Sequence, residues 1–598
     1  MYQYTEFDRQ FVRQRAAQYR DQLERNQAGT LSDDEFRPLR LQNGWYVQRF
    51  APMLRVAVPY GELSSRQLRV LATIARDYDH KDDNHLDKAN PGLSDLASLP
   101  SGHAHFTTRQ NVQYNWIPLH RSADVMDLLA SVDMHGIQTS GNCIRNITSD
   151  ERAGIAVDEI ADPRPFCEIL RQWSTLHPEF AFLPRKFKIA VTGATEDRAA
   201  TYWHDVGLHL LKDTQGQLGF KVLVGGGMGR TPVIASVIRE FLPWNQILNY
   251  LEAVVRVYNR WGRRDNLYKA RIKILVKAEG ERFTQEVEEE YRQIVEVDGA
   301  PHTLTQAEYA RVAASFVPPA LPGQPVVGAA QPDLSAADQR AYQRWLQQNV
   351  APHQNPELRA VTLSFKRLGY APGDATADQL EVAANLAERF SAGEARVSHD
   401  QNLVLPWVHA SALPQLWQAA RDAGWAGSNI RLLTDMIACP GGDFCALANA
   451  RSLPIAEAIT RRYQDMDELH DLGEIDLHIS GCINSCGHHH SGHIGILGVD
   501  KDGQEWYQIT LGGSDGSALS GAATPGKVVG PSFAAAEVPD VIEALLDTYR
   551  VYRSGAGVRN ETFIDTVRRV GAEPFRIAAN GARVSTGRDT PSLATETA

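Results

Sequence analysis

Cysteine and long apolar segments are scarce in this sequence, which has six cysteines among 598 residues. So few cysteines in so long a chain do not form a disulfide framework, and a cluster of them indicates metal binding or catalysis. No apolar run reaches the roughly 18 residues of a membrane span, and the N-terminus lacks a signal-peptide core. The net charge of −11 argues against nonspecific nucleic-acid binding. We therefore expect a cytoplasmic protein of several domains, with neither a membrane nor a nucleic acid as partner.

An internal repeat spans most of the chain. Both copies of its first segment begin with a hydroxyl residue suited to capping a helix, Ser64 and Thr376. In its last segment the second copy has Cys482 where the first has Ala194. Three matching pairs in the same order indicate a duplicated module, and mixed strand and helix signals predict an α+β fold whose halves pack about a pseudo-twofold axis. The pairs are 64–78 with 376–390, 109–129 with 400–417, and 191–211 with 479–499.

Four cysteines form two closely spaced pairs, Cys439 with Cys445 and Cys482 with Cys486. Four thiolates from two loops can hold a cubane iron–sulfur cluster. The glycines beside them allow close approach of the backbone to sulfur. Structural zinc sites usually have tighter pairs, which the five intervening residues of the first pair disfavour without excluding zinc.

The remaining cysteines and a nearby histidine tract carry weaker signals. Cys143 and Cys167 have no paired spacing, so we expect them to be inert. The histidines His488–His490 and His493 follow the last cysteine closely. Metal ligation by these histidines is the minority interpretation, and hydrogen-bonded or exposed roles are more common.

The motifs CPGGDFC (439–445) and CINSC (482–486) resemble the sulfite/nitrite reductase haemoprotein family, and the resemblance covers about residues 40–575. It implies that all four cysteines bind a [4Fe–4S] cluster and that Cys486 also ligates a sirohaem iron. It also implies that each half supplies a ferredoxin-like domain and a larger sulfite-reductase-type α+β domain. Proline and glycine between the halves favour a linker. The implied limits are an N-terminal helical segment 1–40, ferredoxin-like half-domain 1 at 41–140, α+β domain 1 at 141–316, a linker 317–340, ferredoxin-like half-domain 2 at 341–428, α+β domain 2 at 429–578, and a disordered tail 579–598.

Four basic residues match the family's active site. Arg55 lies in MLRVAVP, Arg145 in NCIRN, and Lys186 and Lys188 in LPRKFK. The resemblance implies that they surround the open face of the sirohaem, where fixed cations hold an oxyanion and lysines relay protons. Alone, each would be interpreted as an ordinary ion-pairing or solvated residue, and only their joint match favours the catalytic role.

The segment FTTRQNVQ (106–113) matches the family's tetrapyrrole contacts, which implies sirohaem binding by Thr108, Arg109 and Gln113. The basic stretch 263–273 fits two interpretations equally well: a further contact with the sirohaem carboxylates, or a solvated helix. The turn LVGGGMG (223–229) does not fit a dinucleotide fingerprint, and close approach to the haem edge suits it better.

The resemblance implies a six-electron reductase, closest to the assimilatory sulfite reductase haemoprotein (β) subunit. The Lys-x-Lys ending at Lys188 favours sulfite, because many nitrite reductases of the family have Asn at that position. Assimilatory reduction of nitrite to ammonia is the alternative.

No flavin or nicotinamide domain is evident, so we expect a separate donor, either a flavoprotein reductase or a ferredoxin. A non-catalytic iron–sulfur carrier, a zinc-stabilised binding protein and an inactive duplicate explain fewer of these motifs.

Overall fold

The computed structural model describes residues 1–48, 51–83, 100–317, 319, 334–555 and 560–585. Its helices are α1 Glu6–Gln27, α2 Asp33–Gln42, α3 Ser65–Asp77, α4 Ser122–Ala130, α5 Arg164–Ser174, α6 Ile247–Trp261, α7 Ile272–Glu279, α8 Glu281–Glu296, α9 Gln306–Ala314, α10 Ala336–Asn349, α11 Ala377–Phe390, α12 Leu413–Asp422, α13 Leu453–Arg462, α14 Met466–Leu472, α15 Val538–Tyr552, α16 Phe563–Val570 and α17 Glu573–Ser585.

The strands are β1 Trp45–Val47, β2 Pro52–Val56, β3 Glu62–Ser64, β4 His103–Phe106, β5 Val112–Tyr114, β6 Thr148–Ser149, β7 Ile189–Thr192, β8 Val206–Lys212, β9 Leu218–Val224, β10 Ser236–Pro243, β11 Val350–Pro352, β12 Leu358–Leu363, β13 Asp374–Thr376, β14 Glu394–Val397, β15 Leu403–His409, β16 Ile437–Ala438, β17 Leu477–Ser480, β18 Ile494–Lys501, β19 Gln504–Leu511, β20 Lys527–Val528 and β21 Phe533–Ala534.

Helices α3 and α11 begin alike, as the repeat predicts. Ser64 and Gln67 form a reciprocal capping box at the start of α3, and Thr376 and Gln379 form one at the start of α11. Each box satisfies two backbone amides at the helix end. The helices bury equivalent apolar faces in a common core.

The two ferredoxin-like halves each contribute one strand to the sheet of the other. One sheet has the order β1-β2-β5-β4-β13 and the other β11-β12-β15-β14-β3, so β13 and β3 are exchanged. Two glutamines make a matching pair of hydrogen bonds between the halves. Gln110, at φ 58°, donates to the Val397 carbonyl, and Gln401, at φ 60°, donates to the Phe106 carbonyl, each at 3.0 Å. The halves therefore form one continuous structure.

Each α+β domain contains a mixed sheet of the same topology. The first sheet has the order β10-β9-β8-β7-β6, and the second has the order β16-β17-β18-β19-β20 with β21 also pairing β19. In both, the first three strands in sequence are parallel and the next pairs antiparallel. The predicted duplication is confirmed at the level of strand order.

The chain divides into two compact units. The first contains residues 1–365, 373–428 and 516–521, and the second contains 366–372, 429–515 and 522–598. Two apolar clusters form the core of the first unit and a third forms the core of the second. Among the helices that the structure describes, none is both long and apolar enough to cross a membrane.

Two sequence-based limits need correction. Helix α10 begins at Ala336, before the predicted end of the linker at 340, and most of that linker lies outside the described residues. Helix α17 continues to Ser585, so the predicted tail begins inside a helix. Asn580 and Gly581 look like a turn in the sequence, but Phe575 and Ala579 are fully buried on one face of the helix.

Candidate active site

Arg55 and Arg145 are held side by side in the first unit. Both donate to the Thr139 carbonyl, at 3.4 and 2.7 Å. Arg145 also donates twice to the Gly141 carbonyl, at 3.1 and 2.7 Å. Arg55 donates to Gln113 Oε1 at 3.0 Å. The predicted tetrapyrrole contact Gln113 therefore positions one of the predicted catalytic arginines.

The segment that carries Arg145 runs parallel to the one that carries Lys186 and Lys188. Ile144 pairs with Phe187, and the Arg145 amide donates to the Phe187 carbonyl at 2.7 Å. Ile144 and Phe187 are buried in an apolar core. Because successive residues of an extended chain point to opposite faces, Arg145, Lys186 and Lys188 project from the other face.

Arg109 reaches the same segment from the turn after β4. It donates to the Asn146 carbonyl at 2.7 Å and to the Thr148 hydroxyl at 2.9 Å. The carbonyl of the neighbouring Thr108 lies 3.2 Å from His399 Nδ1. All three predicted tetrapyrrole contacts, Thr108, Arg109 and Gln113, lie in the first unit. Arg109 packs directly against the chain beside the arginine pair.

Arg55, Arg109 and Arg145 form no ion pair with a carboxylate in the parts of the chain that the structure describes; their donors bond carbonyl, amide or hydroxyl oxygens. Arg55 Nε is buried without a partner among those residues. Burial lowers the pKa of Arg109 to about 9; Asp205 opposes this shift, and Arg145 and Arg271 add to it. Cations held in this way are costly unless an anion binds them. The group fits a tetrapyrrole rich in carboxylates together with an anionic substrate.

Asp205 and Arg271 are functional candidates that sequence analysis did not find. Arg271 makes three contacts with the buried Asp205 carboxylate, at 2.7 to 3.0 Å. The same carboxylate accepts the Lys188 amide at 2.9 Å. This pair therefore fixes the backbone at Lys188. The only signal in the sequence is the basic stretch 263–273, which contains Arg271 and which fits a solvated helix as well as a cofactor contact.

Lys273 holds the glycine-rich turn. Its ammonium donates to the carbonyls of Gly227, Met228 and Thr231, at 3.3, 2.5 and 2.6 Å. Burial lowers the pKa of Lys273 to about 8. Helix α7 begins only at Ile272, so most of the basic stretch is an exposed loop rather than a solvated helix.

His204 is a neutral side chain within this basic region. Its Nδ1 lies 2.8 Å from the Ala200 carbonyl, so that nitrogen donates. Burial, and then the charges of Arg109 and Lys188, lower the pKa of His204 well below its usual value. His204 is therefore a buried imidazole that lies near two of the predicted site cations, Arg109 and Lys188.

The four clustered cysteines lie in the second unit, in loops that follow two neighbouring parallel strands. Cys439 follows β16, and Cys482 follows β17 after Gly481. The Gly481 amide donates to Cys439 Sγ at 3.2 Å, which joins the loops. Besides burial, Cys486 and Cys482 raise the pKa of Cys439, and Cys486 and Cys445 raise the pKa of Cys482, as thiols that lie near one another do. The structure therefore brings the two predicted pairs together.

The cysteine loops are closely packed, and their burial disfavours the thiolate form. Burial raises the pKa of Cys439 to about 12 and that of Cys482 to about 11. Iron ligation requires thiolates, so binding must release protons. A Cβ on Gly487 would lie 1.9 Å from the Ile479 carbonyl, so only glycine fits between the loops. Four thiols on glycine-containing loops fit an iron–sulfur cluster.

Two alternative metal sites are not supported. In the described parts of the chain, no three His, Cys, Asp or Glu side chains are arranged to hold a single metal ion. Zinc would need ligand atoms about 2.0–2.3 Å from one point, whereas a cubane spaces its thiolates more widely. In the histidine tract, His489 is buried and packs on His490 with ring centroids 4.0 Å apart, and His493 lies 3.5 Å from Asp476.

Comparison with known families decides the identity. The family model "Nitrite and sulphite reductase 4Fe-4S domain" matches residues 140–295 and 429–585, which together exceed half of the chain. This chain belongs to the nitrite and sulphite reductase family. The model "Nitrite/Sulfite reductase ferredoxin-like half domain" also matches residues 361–423.

Some individual relatives are named nitrite reductases and others sulfite reductases. The assimilatory ferredoxin-dependent nitrite reductase of Haloferax mediterranei is 27% identical over 84% of this chain and 80% of its own length. The ferredoxin–nitrite reductase of Synechococcus elongatus is 28% identical over 85% and 87%. Sulfite reductase [ferredoxin] 1 of Mycolicibacterium paratuberculosis is 27% identical over 69% and 68%. The solved structure of the Mycobacterium tuberculosis NirA protein shares the fold, with a TM-score of 0.71, 22% identity, and coverage of 93% of this chain and 94% of that one.

The predicted family, fold class and cofactors are confirmed. The chain is an oxidoreductase of the sulfite/nitrite reductase haemoproteins, with sirohaem and a [4Fe–4S] cluster as cofactors. Bound together, these groups supply electrons to an anion at the haem iron.

Proposed function

We propose that this chain is an assimilatory sulfite reductase haemoprotein, which reduces sulfite to sulfide with six electrons. The observation that carries the proposal is the placement of Lys186 and Lys188 on one face, next to Arg145. Three fixed cations there suit a doubly charged oxyanion better than a singly charged one. A lysine at the second position also separates this chain from the many nitrite reductases with asparagine there.

The basic group performs two tasks in this proposal. Arg55 and Arg145, each anchored to backbone oxygens, present their remaining donors to the anion and stabilise charge on departing oxygens. Lys186 and Lys188 hold the protons that each departing oxygen needs, because an ammonium can donate directly or through a water. Asp205 keeps Lys188 in place through its backbone amide.

The cofactor ligands are also part of the proposal. Cys439, Cys445, Cys482 and Cys486 would hold the cluster, and Cys486 would also ligate the haem iron. Cys486 is exposed, whereas Cys482 is buried, which suits a thiolate that faces a second centre. In the first unit, Thr108, Arg109 and Gln113 would contact the tetrapyrrole, with Arg109 pairing a carboxylate and Gln113 positioning Arg55.

Nitrite reduction to ammonia is the second candidate function. Two relatives with the broadest coverage reported above are named nitrite reductases. Both anions need six electrons and both bind cations, so the same site can serve either. The preference depends on the number and placement of cations, for which Lys188 is the discriminating residue.

We infer that the electron donor is a ferredoxin. The three curated relatives described above are named for ferredoxin. A flavoprotein reductase is the alternative donor expected from the sequence.

Steady-state kinetics test the substrate. With one reduced ferredoxin as donor, kcat/KM for sulfite should exceed that for nitrite, and sulfide should be the product. A higher kcat/KM for nitrite would instead establish a nitrite reductase. Methyl viologen in parallel separates donor from substrate, because it needs no protein docking.

A further inference from the structure

Two neighbouring segments of the first unit, around Phe182 and after α6, expose aromatic and basic side chains. Tyr268 is 86% exposed, Phe182 72%, Leu267 54% and Trp261 51%. Apolar side chains grouped at a surface mark an interaction site more often than single ones do. Aromatic residues and arginine are the types that protein interfaces favour.

These side chains belong to one surface, because two segments of the chain run side by side. Arg264 donates to the Phe182 carbonyl at 2.8 Å. The Tyr258 hydroxyl lies 2.8 Å from the Ala270 carbonyl and 3.5 Å from the Arg185 carbonyl. The residue 182–185 segment is therefore fixed against the loop that follows α6. We name the aromatic-basic surface for the set Phe182, Trp261, Arg264, Leu267, Tyr268 and Lys269.

The aromatic-basic surface carries two exposed cations, Arg264 and Lys269. Residues 256–273 contain seven lysines and arginines and one acidic residue, Asp265. Four of the other cations pair with carboxylates or bind carbonyls: Arg256 and Arg260 pair with glutamates, Arg271 pairs with Asp205, and Lys273 is buried against backbone oxygens. Asp265 pairs with Arg263. Arg264 and Lys269 form no ion pair with a carboxylate of the described residues. The surface therefore presents the positive charges of Arg264 and Lys269 beside the exposed rings of Phe182 and Tyr268.

We propose that the aromatic-basic surface docks an acidic electron-donor protein, in the first instance a ferredoxin. This inference rests on the proposed function. A negatively charged carrier is repelled by an acidic enzyme unless a local positive surface steers it. Small, weak interfaces are typical of redox partners that must bind and leave in each electron transfer. Six electrons per anion require repeated encounters, which an exposed surface allows.

The test compares two donors in the holoenzyme. Lys269→Glu and Tyr268→Ser should each raise KM for a reduced, acidic plant-type [2Fe–2S] ferredoxin at least fivefold at low ionic strength. The effect of Lys269→Glu should shrink as salt is added, because screening shortens the reach of exposed charges. Turnover with methyl viologen should stay at the wild-type rate and so report an intact fold. Lys212→Glu is the matched control, an exposed lysine in β8, and should not change KM.

Several results would overturn the inference. One is an unchanged KM for ferredoxin in both variants. Another is a loss of self-association in either variant at an unchanged KM, which would assign the surface to a second copy of the chain. Wild-type turnover with viologen but not with ferredoxin would also reject it while leaving sulfite reduction intact. A preference for nitrite would reject only the substrate, and the comparison of KM for ferredoxin would then be made with nitrite.

Discussion

Arg198 donates to Asp150 across 2.7 Å, at positions of the first repeat that correspond to Cys486 and Cys439 of the second. Asp150 is the first residue after β6, just as Cys439 is the first residue after β16. Arg198 and Cys486 likewise lie the same number of residues after the ends of β7 and β17. Both partners are nearly inaccessible to solvent. A buried ion pair in the first copy thus stands where the second copy has Cys439 and Cys486, two of the proposed cluster ligands. The two copies of the duplicated framework have therefore diverged at these positions.

The first prediction concerns this ion pair. Arg198→Met leaves the buried Asp150 carboxylate without its cation, which should lower the free energy of unfolding by about 3–5 kcal/mol. Combining it with Asp150→Asn should recover part of the loss, because the fully buried carboxylate is then neutral, whereas Asp158 and Glu196, which also pair with Arg198, are partly exposed. Urea unfolding measures both. Arg282→Met, which removes an exposed arginine, is the control. Equal effects of Arg198→Met and Arg282→Met would mean that the pair has no structural role.

The second prediction concerns the cluster. Cys445→Ser removes one proposed ligand and should abolish most of the acid-labile sulfide and cluster iron of the purified protein. Cys167→Ser is the control, because Cys167 is fully buried in an apolar core of the first unit. Iron and sulfide analysis measures both variants. A normal content in Cys445→Ser would remove Cys445 from the ligand set.

The third prediction concerns substrate choice. Lys188→Asn should lower kcat/KM for sulfite at least tenfold, which is about 1.4 kcal/mol of transition-state stabilisation, with a smaller loss for nitrite. The reason is the removal of one positive charge beside the more highly charged anion. Lys212→Asn should leave both values unchanged. Equal losses for the two anions would show that Lys188 does not discriminate between them.

The fourth prediction concerns pH and stability. In the exchanged strand pairing, Asp374 of β13 lies 3.1 Å from His103 Nε2 and 2.7 Å from His105 Nδ1, and Asp79 also faces His103. Burial opposes the charge on His103, but Asp374 and Asp79 together raise its pKa to about 9. Burial likewise opposes the charge on Asp374, but the two histidines lower its pKa to about 2.

The sign of the pH effect follows from these shifts. The histidine contribution is complete below the unfolded pKa of about 6.5 and is lost as the pH rises through about 9. The aspartate contribution is complete above about 4 and is lost as the pH falls through about 2. The wild-type Tm should therefore fall between pH 6 and pH 9.5, and Asp374→Asn should flatten that decline. An equal decline in both proteins would exclude the pair as its cause.

The fold was predictable where the signals are local. The helix N-caps predicted at Ser64 and Thr376 lie within single segments, and both are confirmed, each as part of a capping box. The exchange of β3 and β13 was not predictable, because each strand has only three residues and pairs with a distant part of the chain. Their order in the sheets depends on tertiary packing rather than on any pattern in the strands themselves.

The candidate site was predictable where a motif carries several residues at once. Arg145 and Lys188 belong to short motifs, and the structure places their segments side by side. Asp205 and Arg271 were missed because they pair across 66 residues, and each looks ordinary alone. Lys273 was missed because a buried lysine that binds three carbonyls cannot be distinguished in sequence from a solvated one.

The most direct test of the account is a visible spectrum of the purified protein, prepared from cells able to make sirohaem, with iron and acid-labile sulfide analysis and sulfite added under reducing conditions. The account predicts sirohaem bands that sulfite perturbs, with about five iron atoms and about four labile sulfides in each chain. A colourless protein that contains zinc in place of iron would contradict it.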